Sequence, residues 1–144
     1  AWEQAPNINS KIKISDDQFD SFGIPRPILN WKKTSFDKAT INKTLQQFNA
    51  WILYKNLGRF KFNNWLLKAG PFPDSLETGG HHHMGGTRMG DNAISGVVDK
   101  NLKVFNKENF YILGSSVFPT GGHANPTVTI LQLALRLSSH LSQR

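Results

Sequence analysis

The end of the chain limits its fold most. From about Pro126 to Leu141 the pattern is helical, and Val128, Ile130, Leu131, Leu133, Ala134, Leu135 and Leu137 make it apolar around much of its circumference. A helix with so little polar surface belongs inside a larger body. Its start is well marked: Asn125 is a good N-cap, and Pro126 suits the first helical position, where a missing N–H costs nothing. The free N–H groups and the positive dipole end of such a helix can face an anionic or electron-rich ligand.

The chain has 144 residues, enough for one ordinary domain or for two incomplete pieces of a larger protein. A hydrophobic fraction of 38%, with 4 Trp, 2 Tyr and 10 Phe, can build a core, and 19% charged residues is a globular balance, not that of a disordered polyelectrolyte. The net charge of +7 is the balance of 17 Lys and Arg against 10 Asp and Glu, the cations scattered as in Lys11, Lys13, Lys32, Lys33, Lys55, Arg59, Lys61 and Lys103. Its densest stretch, Tyr54 to Lys61, has aromatic neighbours, but no nucleic-acid-binding motif accompanies it. It reads as a solvated surface, and no nucleic-acid partner is expected.

The absence of cysteine excludes disulfides, thiolate metal sites and a cysteine nucleophile. The opening Ala1-Trp2-Glu3-Gln4 has neither the charged nor the apolar region of a signal peptide. No apolar run approaches the roughly 18 residues of a transmembrane helix. Beginning without Met, the chain is expected to be a piece of a longer protein, so its compartment stays unassigned.

Lys11 to Ser15 alternates polar and apolar residues, the pattern of a half-buried strand. Asp16 to Gly23 reads as a turn, and Gly23-Ile24-Pro25-Arg26-Pro27 punctuates before a second extended piece, Ile28 to Trp31, where the prolines argue against a central strand. From about Ser35 the period becomes helical: Ile41, Leu45, Phe48 and Ile52 form a stripe flanked by Phe36 and Trp51, expected to be core. Ser35 or Asp37 can cap its start and Gly58 its end. Asn63 to Lys68 suggests a short helix ended by Gly70 to Pro73. Val97-Val98-Asp99 and Phe110 to Leu113 read as short buried strands.

Two segments carry chemistry. The first is Gly79-Gly80-His81-His82-His83-Met84-Gly85-Gly86-Thr87-Arg88-Met89-Gly90. Adjacent histidines invite a metal, yet neighbours on an extended backbone point to opposite sides. No cysteine completes a zinc set and Asp91 is a weak extra ligand, so no metal site is expected. The second is Gly114-Ser115-Ser116-Val117-Phe118-Pro119-Thr120-Gly121-Gly122-His123-Ala124-Asn125-Pro126-Thr127: a buried strand's end, a Gly/Ser turn, a Gly-rich crossing and the helix start.

Together, in this order and joined through Val97-Val98-Asp99, the two motifs resemble the C-terminal region of the glucose-methanol-choline (GMC) oxidoreductases over about residues 79 to 141. The match of Ser10 to Ser15 and Gly23 to Pro27 to the end of the family's substrate domain is looser. The resemblance implies a fold of mixed α+β and α/β class, the C-terminal part of a two-domain flavoenzyme. Residues 1–92 would be an antiparallel-sheet segment of the substrate-binding domain, including the His-rich segment. Residues 93–144 would be the closing strand and helix of a Rossmann-like FAD-binding domain.

The implied chemistry is oxidation of an alcohol or sugar: the hydroxyl loses its proton and the carbon passes a hydride to N5 of FAD. His82 matches the family's catalytic histidine, and imidazole suits a base because it titrates near neutral pH. Asn125 matches a second position that is His or Asn; a carboxamide cannot be a base, so it would orient the substrate oxygen. Gly114, Ser115, Asn125, Pro126 and Thr127 would contact the cofactor. Gly114 and Ser115 would lie along its ribityl and pyrophosphate portion, where small side chains admit the backbone. Pro126 and Thr127 would lie beside the flavin edge that gains negative charge. His81, His83 and His123 read as structural or supporting, Arg88 as an internal ion-pair partner, and His140 as a helix-end surface residue.

Two features depart from the family. Gly86 stands where Thr is commoner, which leaves the loop more flexible. No Gly-x-Gly-x-x-Gly occurs, so the dinucleotide fingerprint is absent and the chain alone is expected to bind FAD weakly or not at all. The missing FAD-binding half would come in cis or in trans. His at 82 with Asn at 125 resembles the dehydrogenase and the choline- or pyranose-oxidising branches; the electron acceptor, and any membrane partner, stay unassigned. The rival expectation is a non-catalytic remnant that kept the motifs for packing and binds a separate chain bearing the Rossmann half.

Overall fold

The computed structural model describes residues 3–68, 70, 72–73 and 82–143. Two strands come first, β1 (Lys11–Phe19) and β2 (Pro25–Asn30), paired antiparallel with Ile12 opposite Leu29 and Ile14 opposite Pro27. β1 extends past the expected end at Ser15 through a register irregularity between Ile14 and Phe19. Ser15 is the cause: its buried hydroxyl donates to Asp17 Oδ1 (2.8 Å) and accepts from Gln18 N–H (2.9 Å). A local side-chain bond thus replaces ladder bonds without ending the strand. Asp20 makes the turn after β1, its carboxylate accepting from Phe22 and Ile24 N–H. Both prolines lie in β2, which has β1 on one side only, the position where a missing N–H does least harm.

The long helix α1 spans Ser35–Tyr54. Its cap is Thr34, one residue before the expected Ser35, and Asp37 is the reciprocal partner: Asp37 N–H donates to Thr34 Oγ1 while Thr34 N–H donates to Asp37 Oδ2 at 2.6 Å. This is a capping box with Asp at its third position. The other end closes on Asn56, at φ 51°, and not on Gly58. Asn56 N–H reaches Leu53 O (3.0 Å) and Leu57 N–H reaches Ile52 O (3.1 Å), the paired bonds of a Schellman motif. The stripe is less buried than expected. Ile41, Leu45 and Ile52 are half-buried, but Phe48, stacked on Trp51 and tilted against Phe60, remains half exposed, as does Trp51.

Next comes the one-turn helix α2 (Asn64–Leu67), whose Leu66 is buried. It joins an aromatic cluster in which Trp65 meets Phe72 and Lys33 lies over both Phe72 and Trp31. Lys33, in the connection between β2 and α1, thereby ties that connection to Phe72 beyond α2.

From residue 82 onward the chain folds around Val98, Leu102 and Val117, all with no exposed surface. The expected strands at 97–99 and 110–113 are absent among the described residues; single bridges stand in their place, Val98 with Met89 and Val104, and Tyr111 with Lys103. A strand there needs a neighbour along its length, and this chain offers one residue at a time. Leu102 adopts φ 67°, unfavourable for a branched side chain. The Asp99 carboxylate holds that turn by accepting from Asn101 and Lys103 N–H, and burying Leu102 contributes about 1.5–3 kcal/mol.

The final helix α3 spans Thr127–Ser142. Leu133 and Leu137 pack on the core cluster, and Arg136 donates to Lys100 O. Val128, Leu131 and Leu135 lie on another face and are 60–73% exposed. His140 is not a surface residue: it is half-buried, its Nε2 buried, with its ring edge-on to Tyr111. Among the described residues, no helix is long and apolar enough to cross a membrane.

The capping box gives a stability prediction. Thr34→Ala is expected to cost about 1 kcal/mol, the usual worth of an N-cap, read as a lower urea midpoint at unchanged slope. An unchanged midpoint would show that α1 does not depend on its cap.

Candidate functional site

The segment from His82 to Gly90 is irregular, with Gly85 at φ 81°, a turn at Gly86 and Thr87 and a single bridge at Met89. Beside it lie residues 115–117, coiled into a single 3-10 turn. His83 O accepts from Ser115 Oγ at 2.8 Å. Gly85, Thr87 and Met89 N–H donate to Ser115, Ser116 and Val117 O at 3.4, 2.9 and 2.8 Å. A bond between the Thr87 and Ser116 hydroxyls (2.7 Å) joins the same pair of segments. Arg88 turns the other way, its carbonyl accepting from Val97 N–H at 2.8 Å. The first motif is thereby held between the second motif and residues 97–98.

Glycine makes two of these approaches possible. Gly85 sits at φ 81°, and a Cβ there would come 3.3 Å from Phe118 O. Gly90 and Gly96 face each other so closely that a Cβ on Gly90 would lie 2.6 Å from Gly96 N. Gly86 has no such need, since a Cβ there would meet Ile12 Cδ1 at 3.5 Å, an ordinary contact. That contact also brings β1 beside the motif.

The two motifs meet again nearer the helix. Met84 Cε lies 3.3 Å, and Glu3 Cγ 3.5 Å, from where a Cβ of Gly121 would be. Four residues later comes Asn125, then Pro126, then α3. Asn125 is exposed and does not cap the helix: the first intrahelical bond runs from Ile130 N–H to Pro126 O (3.0 Å), which puts Pro126 in the cap position with no side-chain cap bond. Pro126, fixed near helical φ, starts the helix itself, and the Asn125 carboxamide is left for another partner. The N–H groups of Thr127, Val128 and Thr129 precede that first bond and have no intrahelical acceptor.

His82 is exposed, as are His83 and His123; Gly79, Gly80 and His81 lie outside the described residues. Among the described residues no hydrogen bond joins His82 to Asn125. The assembled features are the loop bearing His82, the turn at Gly114–Ser115 and the crossing that leads to Asn125. Gly114, at φ 146°, has open space beside its Cα. Arg88 is no ion-pair partner among the described residues; its Nε donates to Ser95 O at 3.0 Å. The hydroxyl roles of Ser115, Thr87 and Ser116 escaped the sequence reading, which had only the run of small polar residues as a signal.

The family model described as GMC oxidoreductase matches residues 6–134. The chain is similar to 2-methyl-1,2-propanediol dehydrogenase of Mycolicibacterium austroafricanum, 31% identical over 99% of this chain and 24% of the relative. It is similar also to pyranose 2-oxidase of Lyophyllum shimeji, 25% identical over 91% of this chain and 20% of the relative. The fructose dehydrogenase large subunit of Gluconobacter japonicus is 25% identical over 93% of this chain and 23% of its own length. The chain thus spans about a quarter or less of the length of these relatives.

The glycine contact gives the prediction for this site. Gly96→Ala drives a methyl group into backbone and is expected to destabilise by about 2 kcal/mol or more. Gly122→Ala, where a Cβ meets nothing within 4 Å, is the neutral control. Equal thermal midpoints for the two variants would refute the close packing.

Proposed function

We propose, from the fact that this chain belongs to the GMC oxidoreductase family, that it is the C-terminal catalytic portion of an FAD-dependent enzyme oxidising a CH–OH group of an alcohol or sugar. Its relatives include dehydrogenases and oxidases of that kind. The observation that carries the proposal is the bonded seam between residues 83–89 and 115–117. It fixes the His82 loop against the 3-10 turn that leads to the crossing at Asn125, two positions more than 40 residues apart in sequence.

In this reading His82 takes the hydroxyl proton. It is exposed, so a substrate can approach its imidazole, which accepts a proton and later returns it. Asn125 holds the substrate oxygen through its carboxamide, an orienting role, and its freedom from capping duty leaves the group available. Residues 1–92, with the β1–β2 sheet beside the loop at Ile12 and Gly86, form the end of the substrate-binding domain. Residues 93–144 form the end of the FAD-binding domain.

The residues present fit a flavin. The uncapped start of α3 offers the N–H groups of Thr127 and its neighbours to an electron-rich edge, and Pro126 holds that start in helical geometry. Gly114 leaves open space into which a ligand can come against the backbone. Ser115 is the exception: its hydroxyl already donates to His83 O, so only its backbone is left for the cofactor. FAD, when bound, supplies the hydride acceptor. The Gly-x-Gly-x-x-Gly unit that this chain lacks comes from the remainder of the protein, in cis or in trans, and the isolated chain is inactive.

The test is single-turnover reduction of the flavin by substrate in the flavin-loaded protein. His82→Ala is expected to slow it by about 10²–10⁴-fold, the usual worth of a positioned base. Asn125→Ala should cost less, about 10–10²-fold. An unaltered rate in the first variant removes His82 from the reaction.

A further inference from the structure

The hydroxyl of Ser115 holds the loop that carries His82. Two hydrogen bonds fix residues 82–85 to the rest of the chain among the described residues, and both involve Ser115. Its Oγ donates to His83 O at 2.8 Å, and its carbonyl accepts from Gly85 N–H at 3.4 Å. The second bond is long and weak, so the side-chain bond is the principal restraint on the peptide next to His82. Beyond Gly85 the seam no longer needs Ser115: Thr87 N–H and Oγ1 go to Ser116, and Met89 N–H goes to Val117 O. The restraint on His82 is therefore separable from the restraint on the rest of the motif. Gly85, at φ 81°, lies between the two as a joint with little resistance of its own.

We propose that Ser115 is a positioning residue for His82: its hydroxyl, bonded to the His83 carbonyl, sets where the imidazole stands relative to the substrate, and it acts through His82 and not on the cofactor. This rests on His82 as the base. The mechanism is geometric, since a misplacement of about 1 Å in a reacting group costs about 10²-fold in rate. Nothing covalent is asked of Ser115.

The experiment uses the flavin-loaded protein and four forms: unaltered, Ser115→Ala, His82→Ala and the double variant. Ser115→Ala is expected to retain FAD at the unaltered stoichiometry by absorbance while slowing single-turnover flavin reduction by about 10–10²-fold. In the His82→Ala background the same change should cost less than about 2-fold, because residues acting as a unit are not additive. Hydrogen exchange read by mass spectrometry should accelerate at residues 83–85 and stay unaltered at 87–89. Loss of FAD from Ser115→Ala, an additive double variant, or unaltered exchange at 83–85 overturns the proposal. If Ser115→Ala does not fold, Ser115→Cys replaces it: the size is nearly kept and the donor is weak, with the same three readouts. Should His82→Ala reduce flavin at the unaltered rate, the parent reading falls while the exchange arm still decides whether Ser115 holds the loop.

Discussion

The register in which residues 83–89 lie along 115–117 governs most of the structure beyond residue 82. Gly85, Thr87 and Met89 give their N–H groups to successive carbonyls of a single turn, so a slip of one residue would part those donors from these acceptors. The same register puts Val117 beside Val98 and Leu102, which gives Leu133 and Leu137 their seat and so fixes α3. Hydrogen bonds here orient more than they stabilise, each contributing about 0.5–1.5 kcal/mol, while the three buried side chains supply the apolar stabilisation that holds the register.

Where the sequence was legible, local periodicity decided the outcome. α1 and α3 lie within a residue or two of their expected limits because long helical patterns state their own extent. The caps were less legible. Thr34, Ser35 and Asp37 all bear cap-forming side chains, and only the geometry picks Thr34 with Asp37 as its partner. At the other end Asn56 takes the left-handed position that Gly58 suggested; asparagine tolerates it through local bonding. The strand readings at 97–99 and 110–113 failed for a different reason. An apolar run states that it will be buried, not that a partner strand runs beside it, and Val98 is buried while finding only single bridges.

The site divides in the same way. The residue types at His82 and Asn125, and the turn at Gly114 and Ser115, were readable as two motifs because their composition is unusual. The bonds that join those motifs were not readable. Ser115 to His83 spans 32 residues and Thr87 to Ser116 spans 29, and a serine in sequence does not announce its acceptor at that separation. Asn125 illustrates the converse. Its composition suited a cap, but a proline after it can start the helix unaided, and the side chain is then left for other work.

Under the proposed function, the exposed apolar surface bears on how this chain meets the rest of the enzyme. α3 turns Leu133 and Leu137 inward while Val128, Leu131 and Leu135 stay exposed, and Ile12, Ile14 and Leu29 of the sheet are also open. Side chains of this size gain about 1.5–3 kcal/mol each when removed from water, so these faces favour contact with further protein. Val128 lies in the first turn of α3, directly after the residues proposed to face the flavin. A body that covers the outer face of α3 therefore also reaches its open N–H groups. Under the proposed function, the contact that completes the fold of α3 is the one that brings the nucleotide-binding part to Asn125, which couples cofactor capture to assembly of the two parts.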